Sequence, residues 1–297
     1  MSSDPFERIV FRSNLVRIGA FRCAPDHPCF HDSGPAQNYC FVFPRTAVEI
    51  QHEHEAAFVA NPNVGTFYNA GQLYRRQAIS PEGDRCDWFG VDPAVLRDAV
   101  RQFDPAVDDH PEYPFRFTRG WTGAGTYLLQ RSLFNRLEDI TRTEQLGVEE
   151  TVFELLDQVL RSAYEVPSEI PAGITPRQRD AVHDMEMILS RPSGENVCLQ
   201  QIASEVGMSP YHVCRLFSRV TGIRLRRYRL RLLLRVALLN VLDSSRSLTA
   251  IALDAGFSSH SHFTNSFRHE FGTTPSALRS AHPARVATSN FLIASKP

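Results

Sequence analysis

LQQIASEVGMS (residues 199–209) and LTAIALDAGFS (residues 248–258) are one pattern spelled twice. Each opens on a leucine and places Ile and Ala three and four positions later (Ile202, Ala203; Ile251, Ala252). Each reaches a further apolar residue at the seventh position (Val206; Ala255). That spacing lays a single apolar stripe along a helix. A glycine then ends the helix (Gly207; Gly256), and a serine (Ser209; Ser258) supplies the oxygen that caps the next one. Farther on, Val213, Phe217 and Gly222 are answered by Phe263, Phe267 and Gly272. The offset is 49 residues up to the glycine and 50 by the end, so one residue is inserted at the turn. The pattern predicts a helix-turn-helix pair written twice.

Between the two pairs, Leu225, Tyr228, Leu232, Val236 and Leu239 form one stripe within Arg224–Asp243, which predicts a long connecting helix. Its 20 residues extend about 30 Å. Successive major-groove faces on one side of B-DNA repeat at about 34 Å. Two reading heads held at that separation predict a chain that grips duplex DNA. The charge agrees. The net charge of −1 over 297 residues hides an asymmetry: residues 1–174 carry 16 Arg against 25 acids, while residues 175–285 carry 15 Arg against 8. The positive excess sits on the half with the repeat, where phosphate binding needs it.

The stretch from Ile251 through Ala255-Gly256-Phe257-Ser258-Ser259-His260-Ser261-His262-Phe263, continuing to Phe267 and Phe271-Gly272-Thr273-Thr274-Pro275, resembles the AraC/XylS family of bacterial transcription regulators. The likeness covers Thr175–Arg279. It implies a sequence-specific, DNA-binding regulator, effector-responsive and activating, working as a homodimer with RNA polymerase as partner, and not an enzyme. In the family the second helix of the first unit reads bases. Here that helix is about Pro210–Val220, with Tyr211, His212, Cys214 and Arg215 outward and Ser209 as its cap; Arg215 suits a guanine edge. The second reading helix is about His260–Phe271 and offers His260, Ser261, His262, Thr264 and Asn265. The family often carries Arg where Asn265 stands and Tyr where Leu278 stands, so the second unit is expected to bind more weakly. Arg219, Arg224, Arg227 and Arg268 are candidates for phosphate contacts, although any arginine of Arg224–Arg235 also reads as part of a solvated face. Val213, Leu216, Phe217, Phe263, Phe267 and Phe271 are read as core.

Toward the N-terminus the pattern changes to short β-rich runs: Leu15–Arg22, Tyr39–Phe43, Ala47–Gln51, Ala57–Ala60, Val64–Tyr68, Gln72–Ile79 and Arg85–Val91. Turn signals such as Asp32-Ser33-Gly34-Pro35 and Asn69-Ala70-Gly71 separate them, and many short strands so spaced suggest a small barrel or a double sheet. Asp92-Pro93 opens a helix to about Phe103, and two amphipathic helices follow at about Gly125–Arg142 and Val148–Tyr164. The expected class is α+β: a cupin-like β-barrel sensor over 1–104, a helical dimerisation region over 105–166, a linker at 167–174, the all-α double helix-turn-helix domain at 175–282 and a small, polar tail at 283–297.

By the resemblance, a small effector binds within the barrel, and Tyr74, Cys86 and Trp88 are the local echo of the family's pocket. Cys86 and Trp88, two apart, share one side of a strand. The competing reading has Trp88 simply filling the barrel and the N-terminal half serving only for oligomerisation. A cupin-type enzyme is a further alternative, but it needs a metal set. His52-Glu53-His54-Glu55 has an HxH spacing without the downstream glycines and histidine of metal cupins. Cys23, Cys29, Cys40 and Cys86, with His27 and His31, contain no CxxC pair. No metal or cofactor is therefore expected, and the six cysteines read as reduced thiols. Met1–Val10 has no signal-peptide character, and the apolar run Leu230–Leu242 is broken by Arg231 and Arg235. No membrane partner is expected, and the predicted location is the cytoplasm.

Overall fold

In the computed structural model, residues 6–137, 144–165, 173–192 and 197–282 are described. The N-terminal half forms two antiparallel sheets. The first runs β1 (Glu7–Arg12), β2 (Val16–Cys23), β9 (Asp84–Val91), β4 (Cys40–Pro44), β7 (Val64–Tyr68) and β10 (Arg119–Trp121). The second runs β3 (Asp32–Ser33), β8 (Tyr74–Ala78), β5 (Val48–His52) and β6 (Phe58–Ala60). The strands thus lie in two sheets, the double-sheet arrangement that the strand spacing also allows, and not in one closed barrel.

Alternation along β9 decides what each face meets. Cys86 and Trp88 pack toward the second sheet with Val42, Ile50, Phe58, Tyr68 and Tyr74. Phe89 and Val91 point the other way, onto helices, with Phe41, Phe43 and Phe67. Gly19 of β2 lies opposite Trp88, and a Cβ there would come within 2.6 Å of the indole, so only glycine fits beneath that ring.

Seven of these strands match the β-rich runs to within about two residues. β1 and β10 are not among those runs: β1 carries Glu7, Arg8 and Arg12 within its six residues, and β10 has only three residues, one of them Arg119. β3 lies where the sequence reads as a turn; it pairs through Asp32 with Arg75 and Ser33 with Tyr74.

α1 (Pro93–Arg101) starts as expected, with the Asp92 carboxylate accepting from the amides of Ala94 and Val95. It ends two residues short of Phe103. α2 (Ala124–Leu137) and α3 (Gln145–Glu165) lie against the first sheet and bury Leu133, Phe134, Leu155 and Leu160; Leu129 is only half-buried. The expected end of α2 beyond residue 137, most of the linker and the tail fall outside the described residues.

α4 (Pro176–Leu189) opens with a capping box between Thr175 and Gln178. α5 (Leu199–Glu205) and α6 (Pro210–Thr221) form the first helix pair, α7 (Leu225–Asp243) connects, and α8 (Leu248–Asp254) with α9 (His260–Phe271) forms the second, followed by α10 (Pro275–Ala281). The first pair has its own core with α4, in which Met185, Ile202, Val213, Phe217 and Tyr228 are buried. The second pair shares a core with the N-terminal half: Phe263, Phe267 and Leu238 join the cluster that contains Phe89, Leu133 and Phe134.

α7 departs from the single stripe. Tyr228 and Leu232 are buried, but Leu225, Val236 and Leu239 are only half-covered. Leu234, Arg235, Ala237, Leu238, Val241 and Leu242 are buried instead. The helix runs between two cores and the N-terminal sheets, so it is covered on more than one side.

Candidate nucleic-acid interface

Both reading helices are framed by the same local devices. The Ser209 hydroxyl accepts from the His212 amide at 3.3 Å, and Gly222 closes α6 in the left-handed region (φ 71°). In the second unit the cap is Ser259, accepting from the His262 amide at 3.1 Å, with Gly272 at φ 73°. The expected cap at Ser258 is corrected by one position. The inserted residue sits before the cap, so the reading helices align at the offset of 50.

On α6, Val213, Leu216 and Phe217 face the core while Tyr211, His212, Cys214, Arg215 and Arg219 face solvent. Tyr211 is 66% exposed. Arg215 donates from Nη1 to the Tyr211 hydroxyl at 3.2 Å, and its guanidinium stands 5.7 Å from the Tyr211 ring centre. The pair, four residues apart on one face, holds the guanidinium in a defined direction. Ser209 is occupied as a cap and also lies 3.1 Å from Nδ1 of His212.

On α9, Phe263, Phe267, Glu270 and Phe271 are buried; His260, Ser261, His262, Asn265 and Arg268 are exposed and Thr264 is half-buried. The His262 ring stands edge-on to Phe257 at 5.2 Å, which fixes its orientation.

The arginines of α7 divide sharply. Arg224 and Arg226 are exposed. Arg227 donates to Glu270 of α9 at 2.7 Å, and Arg231 stands 3.5 Å from the same carboxylate. Arg229 donates to the carbonyls of Leu189 and Arg191 at 2.5 and 2.8 Å, closing the end of α4. Arg235 is buried and donates to the carbonyls of Pro62 and Thr122 in the N-terminal half. Burial pulls its guanidinium down to about 10. Arg229, Arg231 and Arg235 therefore belong to neither alternative offered by the sequence, phosphate contact or solvated face. They tie elements together.

Tyr74, Cys86 and Trp88 are brought into one cluster between the two sheets. Tyr74 and Trp88 lie on strands consecutive in the chain but in facing sheets. Among the described residues the buried Trp88 indole nitrogen and Nε2 of His52 meet no hydrogen-bond partner. His52, buried at the end of β5, stands 4.8 Å from the Tyr68 ring and 5.5 Å from Phe58. Burial lowers its imidazole to about 4, so it is neutral. Burial, with Asp84 adding to it, raises the Cys86 thiol well above its ordinary value, so it stays protonated. His54 lies in the following turn at φ 66° and is exposed, so the two histidines of the HxH do not converge. Among the described residues no group of three or more His, Cys, Asp or Glu side chains is arranged to hold a metal ion, and no helix is long and apolar enough to cross a membrane.

The sequence does not single out Tyr68, which shares the cluster of Trp88, or His52, which stands against Tyr68 and Tyr74, since their inward direction depends on which sheet each strand joins. Glu270 and Asp243 were missed because a lone acid in a basic segment carries no spacing signal.

A family profile described as a helix-turn-helix domain matches residues 202–281. The chain is 40% identical over 81 residues to the virulence regulon transcriptional activator VirF of Yersinia enterocolitica, covering 27% of this chain and 30% of VirF. It is 34% identical over 85 residues to the probable transcription factor PqrA of Proteus vulgaris, covering 29% of this chain and 70% of PqrA. The crystal structure of ToxT from Vibrio cholerae aligns over 92% of this chain and 100% of its own, with 11% identity and a TM-score of 0.35.

Proposed function

Because this chain belongs to the AraC/XylS family of bacterial transcription regulators, we propose that it is a sequence-specific, effector-responsive transcription activator that sets α6 and α9 into neighbouring major-groove segments of one duplex face. The observation that carries this reading is the matched pair of reading helices. Each is capped at its N-terminus by serine, each buries its apolar stripe, and each leaves the N-terminal half of its outer face open. The 19 residues of α7 separate them by about 28 Å of helix.

In this reading Arg215, oriented by Tyr211, takes a guanine edge, and Asn265 takes an adenine edge in the second groove segment. His212, Cys214, His260, Ser261, His262 and Thr264 line the two grooves; Ser209, Arg219, Arg224 and Arg268 meet phosphates. Arg227 contributes less, being committed to Glu270. The two-sheet half is a cupin-like sensor whose effector lies between the sheets, against Tyr74, Cys86 and Trp88. The unpartnered polar atoms of Trp88 and His52 support that location. The helices of 105–166, with Leu146 exposed on α3, form the surface for a second copy. The protein acts in the cytoplasm, on promoter DNA and with RNA polymerase.

Selection of duplexes from random sequence, followed by run-off transcription with purified RNA polymerase from a promoter carrying the selected sites, tests the proposal. Enrichment of a two-box site and stimulated transcription are expected; no enrichment contradicts the DNA-reading role. A second reading, in which the sheets only support oligomerisation, is favoured by the close fit of Trp88 over Gly19. Small metabolites that raise the melting temperature of the wild-type chain but not of Trp88→Ala decide against it.

A further inference from the structure

Three arginines of α7, Arg227, Arg231 and Arg235, recur every four residues and so share one helix face. Like charges so spaced repel, and one acid answers them. Glu270 sits in the last turn of α9, its side chain 1% exposed, between Arg227 at 2.7 Å and Arg231 at 3.5 Å. The corresponding position of the first unit, at the offset of 50, is Val220, which carries no charge.

Its place in the fold matters more than its strength. The residue after Arg227 is Tyr228, whose ring meets Phe217 of α6 edge-on at 5.3 Å. A short path therefore runs from α9 through Glu270, Arg227 and Tyr228 to α6. Besides this path, the two reading helices are related through the apolar face of α7, through the N-terminal half, which shares a core with α9 and bonds Tyr228 by Asn61 and Asn63, and by the far end of α7, where Arg279 donates to the carbonyls of Val241 and Arg246. Apolar packing tolerates rotation, whereas a buried carboxylate between two guanidinium groups does not.

We propose that Glu270 is a positioning residue that fixes α9 relative to α6, and thereby sets the separation between the two DNA boxes that the chain accepts. The proposal rests on the reading above, that both helices enter the same duplex. Glu270 faces the connector and touches no DNA; it acts through α9.

The test uses the full chain and duplexes carrying the two selected boxes at native spacing and with one base pair removed, one added or two added. Wild type is expected to discriminate strongly against altered spacing. Glu270→Gln should lower affinity at native spacing by about three- to tenfold, the scale of one ordinary hydrogen bond, and shrink the ratio of native to altered spacing. Arg231→Gln, a milder change at a part-exposed site, should shift that ratio in the same direction with folding preserved. A uniform loss at every spacing, or an unchanged ratio in both variants, overturns the assignment to Glu270. Indifference of the wild type to spacing instead overturns the two-helix reading on which it rests.

Discussion

Arg131 of α2 holds Asp243, the last residue of the connecting helix, at 2.9 Å, and with its other nitrogen holds Asp87 of the sheet at 2.5 Å. Arg45 completes the group, bonded to Asp243 and 3.7 Å from Asp87. The N-terminal half and the helix-turn-helix half thus meet through a charged network whose centre is buried, with Arg131 1% and Asp87 0% exposed.

Removing Arg131 leaves Asp87 buried with one distant partner. Arg131→Met is expected to destabilise the chain by about 3–5 kcal/mol, the cost of orphaning a buried charge. Asp243→Asn, at a part-exposed site, should cost much less. Chemical denaturation of both variants measures this; a loss below about 1 kcal/mol for Arg131→Met would contradict the network's role.

Arg215→Ala is expected to relax preference at a single base position by about 1–3 kcal/mol while leaving binding to random duplex nearly intact. Tyr211→Phe, which keeps the ring but removes the hydroxyl that accepts from Arg215, should produce a smaller loss at the same position. Competition against single-base variants of the selected site measures both. Equal weakening on every sequence would remove Arg215 from base reading.

Among the arginines, exposure rather than number predicts salt dependence. Arg268→Ala should lower the slope of log K against log salt by about one, whereas Arg227→Ala should lower it by less, since Glu270 already holds that guanidinium. Titrations at several salt concentrations distinguish them. Equal slopes for the two variants would contradict the assignment.

This division shows what was legible in the sequence. The two helix pairs were, because glycine, serine and the apolar stripe act within a few residues of one another. Both reading helices lie where the periodicity placed them, and the cap moved only from Ser258 to Ser259. The destinations of the arginines were not legible. Arg229, Arg231 and Arg235 carry the same charge and helical spacing as the arginines proposed to meet phosphate, yet their partners, the carbonyls of Leu189, Pro62 and Thr122 and the carboxylate of Glu270, are distant in the chain. The positive excess of the C-terminal half is accordingly spent in part inside the molecule. In the sheets, the period of two marked which residues alternate. Only the assignment of β8 and β9 to facing sheets shows that Tyr74 and Trp88 share an interior with His52 and Tyr68.

His52 gives stability a pH dependence of defined sign. Burial holds the folded imidazole at about 4, while the unfolded chain takes its proton at the ordinary 6.5. The unfolded state therefore binds more protons between these values. The contribution is complete above pH 6.5 and is lost as pH falls toward 4, to a total of about 3 kcal/mol. His52→Gln should flatten that part of the stability profile, whatever its effect at neutral pH. An unaltered slope between pH 4 and 6.5 would contradict the burial of a neutral imidazole.

The central claim is that α6 and α9 grip one face of a single duplex, and hydroxyl-radical footprinting of the full chain on its selected site tests it most directly. Two protected stretches on the same face, centred about 10 base pairs apart as one helical turn requires, are the predicted result, with Arg215→Ala weakening the first. A single protected stretch, or protection on opposite faces, would contradict it.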